Sequence, residues 1–254
     1  MTIINEYRVR LPVTVEEYQI GQLYAVAEAS KDETGGGEGV EVLKNEPCDY
    51  EGKKGQYTYK IYRFSSKVPA VIRALAPSGS LEVHEEAWNC YPYCRTVLTN
   101  PYMKDKFKLI VETIHHDDDG KVVNIHGIKA EDLQERNIVM IDIANDQLES
   151  KDYKKEYDPT LYHSEKTNRG PLKKDWLATT KPMMTAYKLV TCEFKWFGLQ
   201  SKIEDLIQGI QHNLNIKFNR QVFCTIDTWC GMTIADIRKL EDQTKTDLDA
   251  KRDK

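Results

Sequence analysis

Thr58 and Lys60 stand two apart in the aromatic, alternating stretch Tyr57–Phe64, and residues two apart on a strand share a face. A lysine supplies a point charge for a phosphate or other anion, and a threonine supplies a short hydrogen-bonding hydroxyl. Spacing alone does not make this pair a site, because the ordinary fate of such a face is solvation. Glu241 raises a second question. It lies between Ile237 and Thr244 on the apolar stripe of a C-terminal helix, where a carboxylate is costly unless it is paired or hydrated. It reads either as an acid paired with a lysine at the stripe's edge or as an acceptor for a polyol ligand. Trp196-Phe197 sits at a strand-to-helix junction, a position suited equally to packing under the helix and to touching a membrane interface.

Other candidates carry weaker chemistry. The run Thr34–Gly39 lacks the Gly-Lys-Ser/Thr ending of a phosphate loop and the spacing of a dinucleotide turn, so it reads as a flexible turn. His115-His116-Asp117-Asp118-Asp119 reads as an exposed polar hairpin turn, with side chains that diverge rather than converge on a metal. Cys94 has no flanking nucleophile motif and reads as a buried free thiol.

These residues must be positioned by a particular order of elements. Tyr7–Val13 alternates as a half-buried strand, and Thr14-Val-Glu-Glu17 has capping-box form, opening a helix to about Ala29. Short strands are expected at Val40–Leu43, Tyr57–Phe64, Leu81–Val83, Ala87–Asn89, Arg95–Leu98, Phe107–Ile114, Lys121–Ile125, Ile138–Ile143 and Tyr187–Trp196. A polar turn is expected over Lys44–Gly55, with short helices near Val68–Leu75 and Ala130–Arg136. Asn145–Thr185 is polar, proline-bearing and without period, a long loop of the kind that is often functional. A long helix follows from Gln200 to Trp229, with Ile203, Leu206, Ile207, Ile210 and Leu214 as its apolar stripe, and Thr233 begins the last helix. Consecutive strands between terminal helices point to an α+β fold, with an antiparallel sheet curved around long helices.

The bulk properties narrow the class. A net charge of −4 gives no electrostatic footprint for nucleic acid. Arg8 and Arg10 interrupt any leader-like apolar run, no stretch approaches bilayer length, and the six cysteines lack paired spacing. The expectation is a globular, cytoplasmic chain with reduced thiols.

Taken together, the motifs resemble the class I phosphatidylinositol transfer proteins. The resemblance rests on Glu17-Tyr-Gln-Ile-Gly-Gln-Leu-Tyr24, Glu33-Thr-Gly-Gly-Gly-Glu-Gly-Val-Glu-Val42 and Lys54-Gly-Gln-Tyr-Thr-Tyr-Lys-Ile-Tyr62. It continues through Trp88-Asn-Cys-Tyr-Pro-Tyr-Cys-Arg-Thr96, Ala186-Tyr-Lys-Leu-Val-Thr191 and Phe194-Lys-Trp-Phe-Gly-Leu-Gln200, collinear along nearly the whole chain. It implies one START-like domain over residues 1–254, enclosing a single phosphatidylinositol or phosphatidylcholine. A regulatory loop spans about 145–185, and a lid helix spans about 233–252. By resemblance, Thr58, Lys60, Asn89 and Glu241 contact inositol, and Gln22, Thr96, Thr113 and Lys188 contact the phosphate. Cys94 lies near the lipid, Ser164 matches a phosphorylatable serine, and Trp196 with Phe197 docks on membranes, phenylalanine replacing the family's second tryptophan. The implied activity is non-enzymatic exchange of lipid between membranes, by a monomer that visits membrane surfaces transiently and needs no cofactor or metal. The alternative is an adaptor that presents phosphatidylinositol to lipid kinases.

Overall fold

The computed structural model describes residues 3–32, 39–63, 81–195 and 200–252. The glycine run before Gly39, the helix expected at Val68–Leu75, Phe64, and the Trp196-Phe197 corner lie outside the described residues.

Eight strands form one curved open sheet in the order β2-β3-β4-β5-β6-β8-β1-β7. They are β1 (Ile3–Leu11), β2 (Gly39–Tyr50), β3 (Lys53–Arg63), β4 (Glu82–Cys90), β5 (Tyr93–Thr99), β6 (Phe107–His116), β7 (Asn137–Asp142) and β8 (Met184–Phe194). Every neighbouring pair is antiparallel except β1 and β7. The helices are α1 (Val15–Asp32), α2 (Ala130–Glu135), α3 (Trp176–Thr179), α4 (Gln200–Cys224), α5 (Ile226–Trp229) and α6 (Ile234–Arg252). The architecture is α+β, as the order of elements implied.

The capping box is present. Glu17 N donates to Thr14 Oγ1 (3.2 Å) and Thr14 N donates to Glu17 Oε2 (2.8 Å), so two amides at the start of α1 find acceptors. Thr233 and Asp236 repeat the reciprocal pair at the start of α6.

Other expectations need correction. Lys44–Gly55 is not a turn: β2 and β3 form one long hairpin, turning only at Glu51 (φ 53°) and Gly52 (φ 77°). Two successive positive φ angles fit a tight two-residue loop whose twist matches the strands. The two short strands expected at Leu81–Val83 and Ala87–Asn89 are one strand, β4, which begins at Glu82 and leaves Leu81 outside it. Lys121–Ile125 is not a strand, and β6 runs on through His116. His115 is therefore buried instead of exposed, with Nδ1 2.8 Å from the Pro92 carbonyl oxygen and its ring stacked on Tyr91. The long helix breaks at Thr225. Its stripe is also displaced: Ile210 and Leu214 face outward, and the buried face carries Asn215, Ile216, Asn219, Arg220 and Phe223. The polar members of that face are satisfied, since Tyr18 donates to Asn219 Oδ1 and Arg220 donates to the carbonyls of Ile143 and Asp146.

The long loop over residues 145–185 is ordered by specific anchors. Leu172 and Trp176 are buried, and Trp176 Nε1 donates to Asp142 Oδ1 (2.8 Å). Arg169 makes a bidentate pair with Glu17 (3.0 and 3.0 Å). Ser164, fully buried, donates to Asp227 Oδ1 (2.6 Å), which ties the loop to α5.

The apolar core is off-centre. Val9, Leu11, Ile141, Ile143, Met184, Ile216, Phe223, Ile226 and Trp229 pack between the β7-β1-β8 end of the sheet and α4–α5. At roughly 1.5–3 kcal/mol for each large apolar side chain, this end supplies most of the burial energy. Strands β2 to β5 are mostly half-buried, and α1 and α6 lie over that end. The sheet thus has a solid end and an end whose inner face borders open space.

Candidate functional site

Strand register shows which side chains share a face. One row across the sheet reads Gln56, Asn89, Cys94, Thr113, Lys188 and Tyr7, each directly opposite the next. The next row reads Asn45, Thr58, Ala87, Thr96, Val111 and Val190, and the one after it begins Val42, Lys60, Glu85, Leu98. Directly opposed residues project to the same side. Thr58, Lys60, Asn89, Cys94, Thr96, Thr113 and Lys188 therefore lie on one face, although they come from five strands. The helices identify it as the inner face: α1 and α6 close over Thr58 and Lys60, and the Phe218 ring of α4 lies 6.0 Å from Lys188 Nζ.

At the β2–β3 end, Thr58, Lys60 and Glu241 line one pocket of about 130 Å³, with Asn45, Ser30 and Thr244. Glu241 is paired with Arg238 (Nη1 to Oε2, 2.6 Å), not with a lysine, and accepts from Asn45 Nδ2 (3.1 Å). Asn45 is itself steadied by Gln56 Nε2 (2.7 Å). Lys60 Nζ lies 3.8 Å from Glu85 Oε1, while Tyr62 donates to Glu85 Oε2 (3.0 Å). Burial first, then the Glu85 charge, raises the Tyr62 pKa well above its ordinary value. Asn89 shares the face but does not line this pocket; its Oδ1 accepts from the Cys94 thiol (3.1 Å).

The second group lies deeper. Thr113 and Lys188 are cross-strand partners, Cys94 faces Thr113 from the other side, and Thr96 is two residues along β5. Gln22 of α1 meets the Cys94 thiol from the helix side, and its buried Nε2 has no conventional hydrogen-bond partner among the described residues. Burial lowers the Lys188 pKa to about 8 and raises the Cys94 pKa to about 12. The His115 pKa is lowered to about 3, chiefly by burial. Cys94 and Lys188 keep some accessible surface although desolvation dominates their titration. Both facts fit side chains that border an internal space. A thiol held this far toward its protonated form is a poor nucleophile.

Asn45, Glu85 and Thr244 were missed by sequence reasoning. Asn45 lay inside a stretch read as turn, and Glu85 in a gap between two expected strands. Thr244 was visible on the α6 stripe, but nothing in the stripe shows where its hydroxyl points. Ser164 is placed against Asp227, away from both groups.

Comparison with known proteins identifies the family. A family model described as phosphatidylinositol transfer protein matches residues 2–246. The chain belongs to the phosphatidylinositol transfer protein family. It is 55% identical to the phosphatidylinositol transfer protein beta isoform of Mus musculus over 260 residues, covering 100% of this chain and 96% of that protein. Identity to phosphatidylinositol transfer protein 1 of Dictyostelium discoideum is 51% over 251 residues, 98% of this chain and 95% of that one. The membrane-associated phosphatidylinositol transfer protein 1 of Homo sapiens is 42% identical over 248 residues, 95% of this chain but 20% of that protein. Family membership thus extends across both polar groups and the helices above them.

Proposed function

We propose that this chain carries one phosphatidylinositol or phosphatidylcholine beneath α1, α4 and α6 and exchanges it between membranes without changing a covalent bond. The observation that carries this reading is the single inner face, which collects an anion-suited group (Lys188, Thr113, Thr96, Gln22) and a polyol-suited group (Thr58, Lys60, Glu241). In this reading the lipid phosphate sits by Lys188, where a buried ammonium gains most from an anion. The inositol ring reaches Thr58, Lys60, Asn89 and Glu241, and Cys94 lies beside the bound lipid. Burial of the acyl chains, at roughly 0.8 kcal/mol per methylene, stabilises the filled form in water.

Exchange requires α6 to move, because Glu241 and Thr244 close the pocket from that helix. Trp196 and Phe197 serve as the membrane-touching corner. No helix among the described residues is long and apolar enough to cross a bilayer, so the reading uses transient contact. Choline leaves the polyol-suited groups to water, so phosphatidylinositol binds more tightly.

Vesicle-to-vesicle transfer of labelled lipids tests the assignment. Thr58→Ala and Lys60→Ala are each expected to lower phosphatidylinositol transfer about tenfold, the worth of one or two lost polar contacts, with phosphatidylcholine transfer retained. Equal loss of both lipids would refute the headgroup placement.

A further inference from the structure

Thr244 lies one turn beyond Glu241 on α6, is 4% exposed, and lines the same pocket as Thr58 and Lys60. Its Oγ1 is buried and has no hydrogen-bond partner among the described residues. A helical threonine ordinarily relieves that condition by donating to the carbonyl four residues back. Other threonines of this chain do so. Thr246, two residues on in the same helix, donates to Asp242 O (3.1 Å), and Thr225 donates to Gln221 O (2.7 Å). Thr244 leaves the Leu240 carbonyl alone. A buried hydroxyl without a partner is unfavourable, and any group that bonds to it removes the penalty.

We infer that Thr244 is a further specificity-determining residue, whose hydroxyl bonds a ring hydroxyl of a polyol headgroup; this rests on the lipid-carrier reading above. The neighbours fix the chemistry. The Arg238 and Asn45 bonds to Glu241 both fall on Oε2, so the carboxylate is held in place beside Thr244. Lys60 and Thr58 face the pair from the sheet. An inositol hydroxyl both donates and accepts, and so satisfies a hydroxyl and a carboxylate together. The trimethylammonium of choline offers neither function and leaves Thr244 unpaired.

The test uses the full chain, loaded with either lipid, and Thr244→Val, which keeps the branched shape and removes the hydroxyl. Phosphatidylinositol transfer is expected to fall roughly five- to tenfold relative to phosphatidylcholine transfer, and Thr244→Ser to restore the ratio. The phosphatidylcholine-loaded Thr244→Val protein is expected to melt at or above the wild-type temperature, because it loses an unpaired polar group. A lower melting temperature, or parallel loss of both lipids, assigns the hydroxyl to packing and overturns the inference. Unchanged phosphatidylinositol transfer overturns it as well. If the wild-type protein itself transfers no phosphatidylinositol, the lipid-carrier reading fails, whatever the variant does.

Discussion

Lys188 gives the sharpest quantitative expectation. Burial brings its pKa from 10.5 to about 8. At about 1.4 kcal/mol for each pH unit, the empty site disfavours the ammonium by about 3 kcal/mol. Between about pH 8 and 10.5 the unfolded chain still holds the proton that the folded chain has released. The empty protein therefore gains stability as pH rises through that window and carries the full penalty below it. A phosphate beside Lys188 reverses the balance by favouring the charged form. Below about pH 8 the ammonium is already present and binding needs no proton. Above it, each binding event takes one up, so affinity falls by up to tenfold per pH unit until the pKa of the filled site is reached.

The neighbours do not blur this window. The Cys94 thiol, with a pKa raised to about 12, stays neutral below pH 10, and His115, lowered to about 3, is neutral throughout. The assay is phosphatidylcholine transfer between neutral vesicles from pH 6.5 to 10, which keeps donor and acceptor charge constant. Wild-type transfer should be flat to about pH 8 and then decline. Lys188→Arg should be flat across the range at whatever absolute level its larger side chain permits, since guanidinium stays charged. Lys188→Met should be low at every pH. Superimposable profiles for wild type and Lys188→Arg would refute the placement of the phosphate beside this amine.

Two further predictions concern the scaffold and the loop. A Cβ on Gly55 would lie 2.3 Å from the Asn89 carbonyl oxygen and 2.6 Å from Cys90 Sγ, whereas one on Gly209 of α4 meets nothing within 4 Å. Gly55→Ala should therefore cost about 3 kcal/mol and lower Tm by roughly 6–12 °C, while Gly209→Ala should stabilise by up to about 1 kcal/mol; thermal melts that agree in sign would contradict the close approach of β3 to β4. The Ser164 hydroxyl is the leading cause of the lowered Asp227 pKa, followed by the amides of Lys166 and Glu165 once the opposing effect of burial is set aside. Ser164→Asp sets a second carboxylate against Asp227, so hydrogen exchange at Glu165 and Lys166 should accelerate; unchanged protection would show that this anchor does not hold the loop.

What could be read from the sequence depended on local contrast. Thr14 and Glu17 marked the start of α1 because a capping box is a local device, and β1 alternated cleanly. Lys44–Gly55 offered no such contrast. Near the free edge of the sheet both faces are partly wetted, so polar residues alternate with polar residues, and the turn uses Glu51 where asparagine, aspartate or glycine is expected. The α4 stripe misled because Asn215, Asn219 and Arg220 are buried with their bonds satisfied, and no hydropathy pattern registers a satisfied polar group. Thr58 and Lys60 were legible as a pair on one face. Their inward direction was not, because the helices above them are contributed by distant parts of the chain, and only the family resemblance supplied it. Glu85 became visible only through its register with Lys60.

The titrating groups of the inner face share a property that suits a carrier of different lipids. Cys94, His115 and Tyr18, whose ring packs beside His115, are all shifted toward their neutral forms, while Lys188, lowered to about 8, keeps its proton until just above ordinary pH. The full charges of the headgroup end are already matched: Lys60 by Glu85, and Glu241 by Arg238. Apart from the Lys188 ammonium, which any phosphodiester would meet, a face arranged this way holds little uncompensated charge, so a zwitterionic and an anionic headgroup would replace one another without stranding a second buried ion. In the lipid-carrier reading, selectivity then rests on hydroxyl and amide contacts together with these already matched charges, each contact worth only about 1 kcal/mol. Such contacts set a preference without holding the lipid so firmly that release at the next membrane becomes slow.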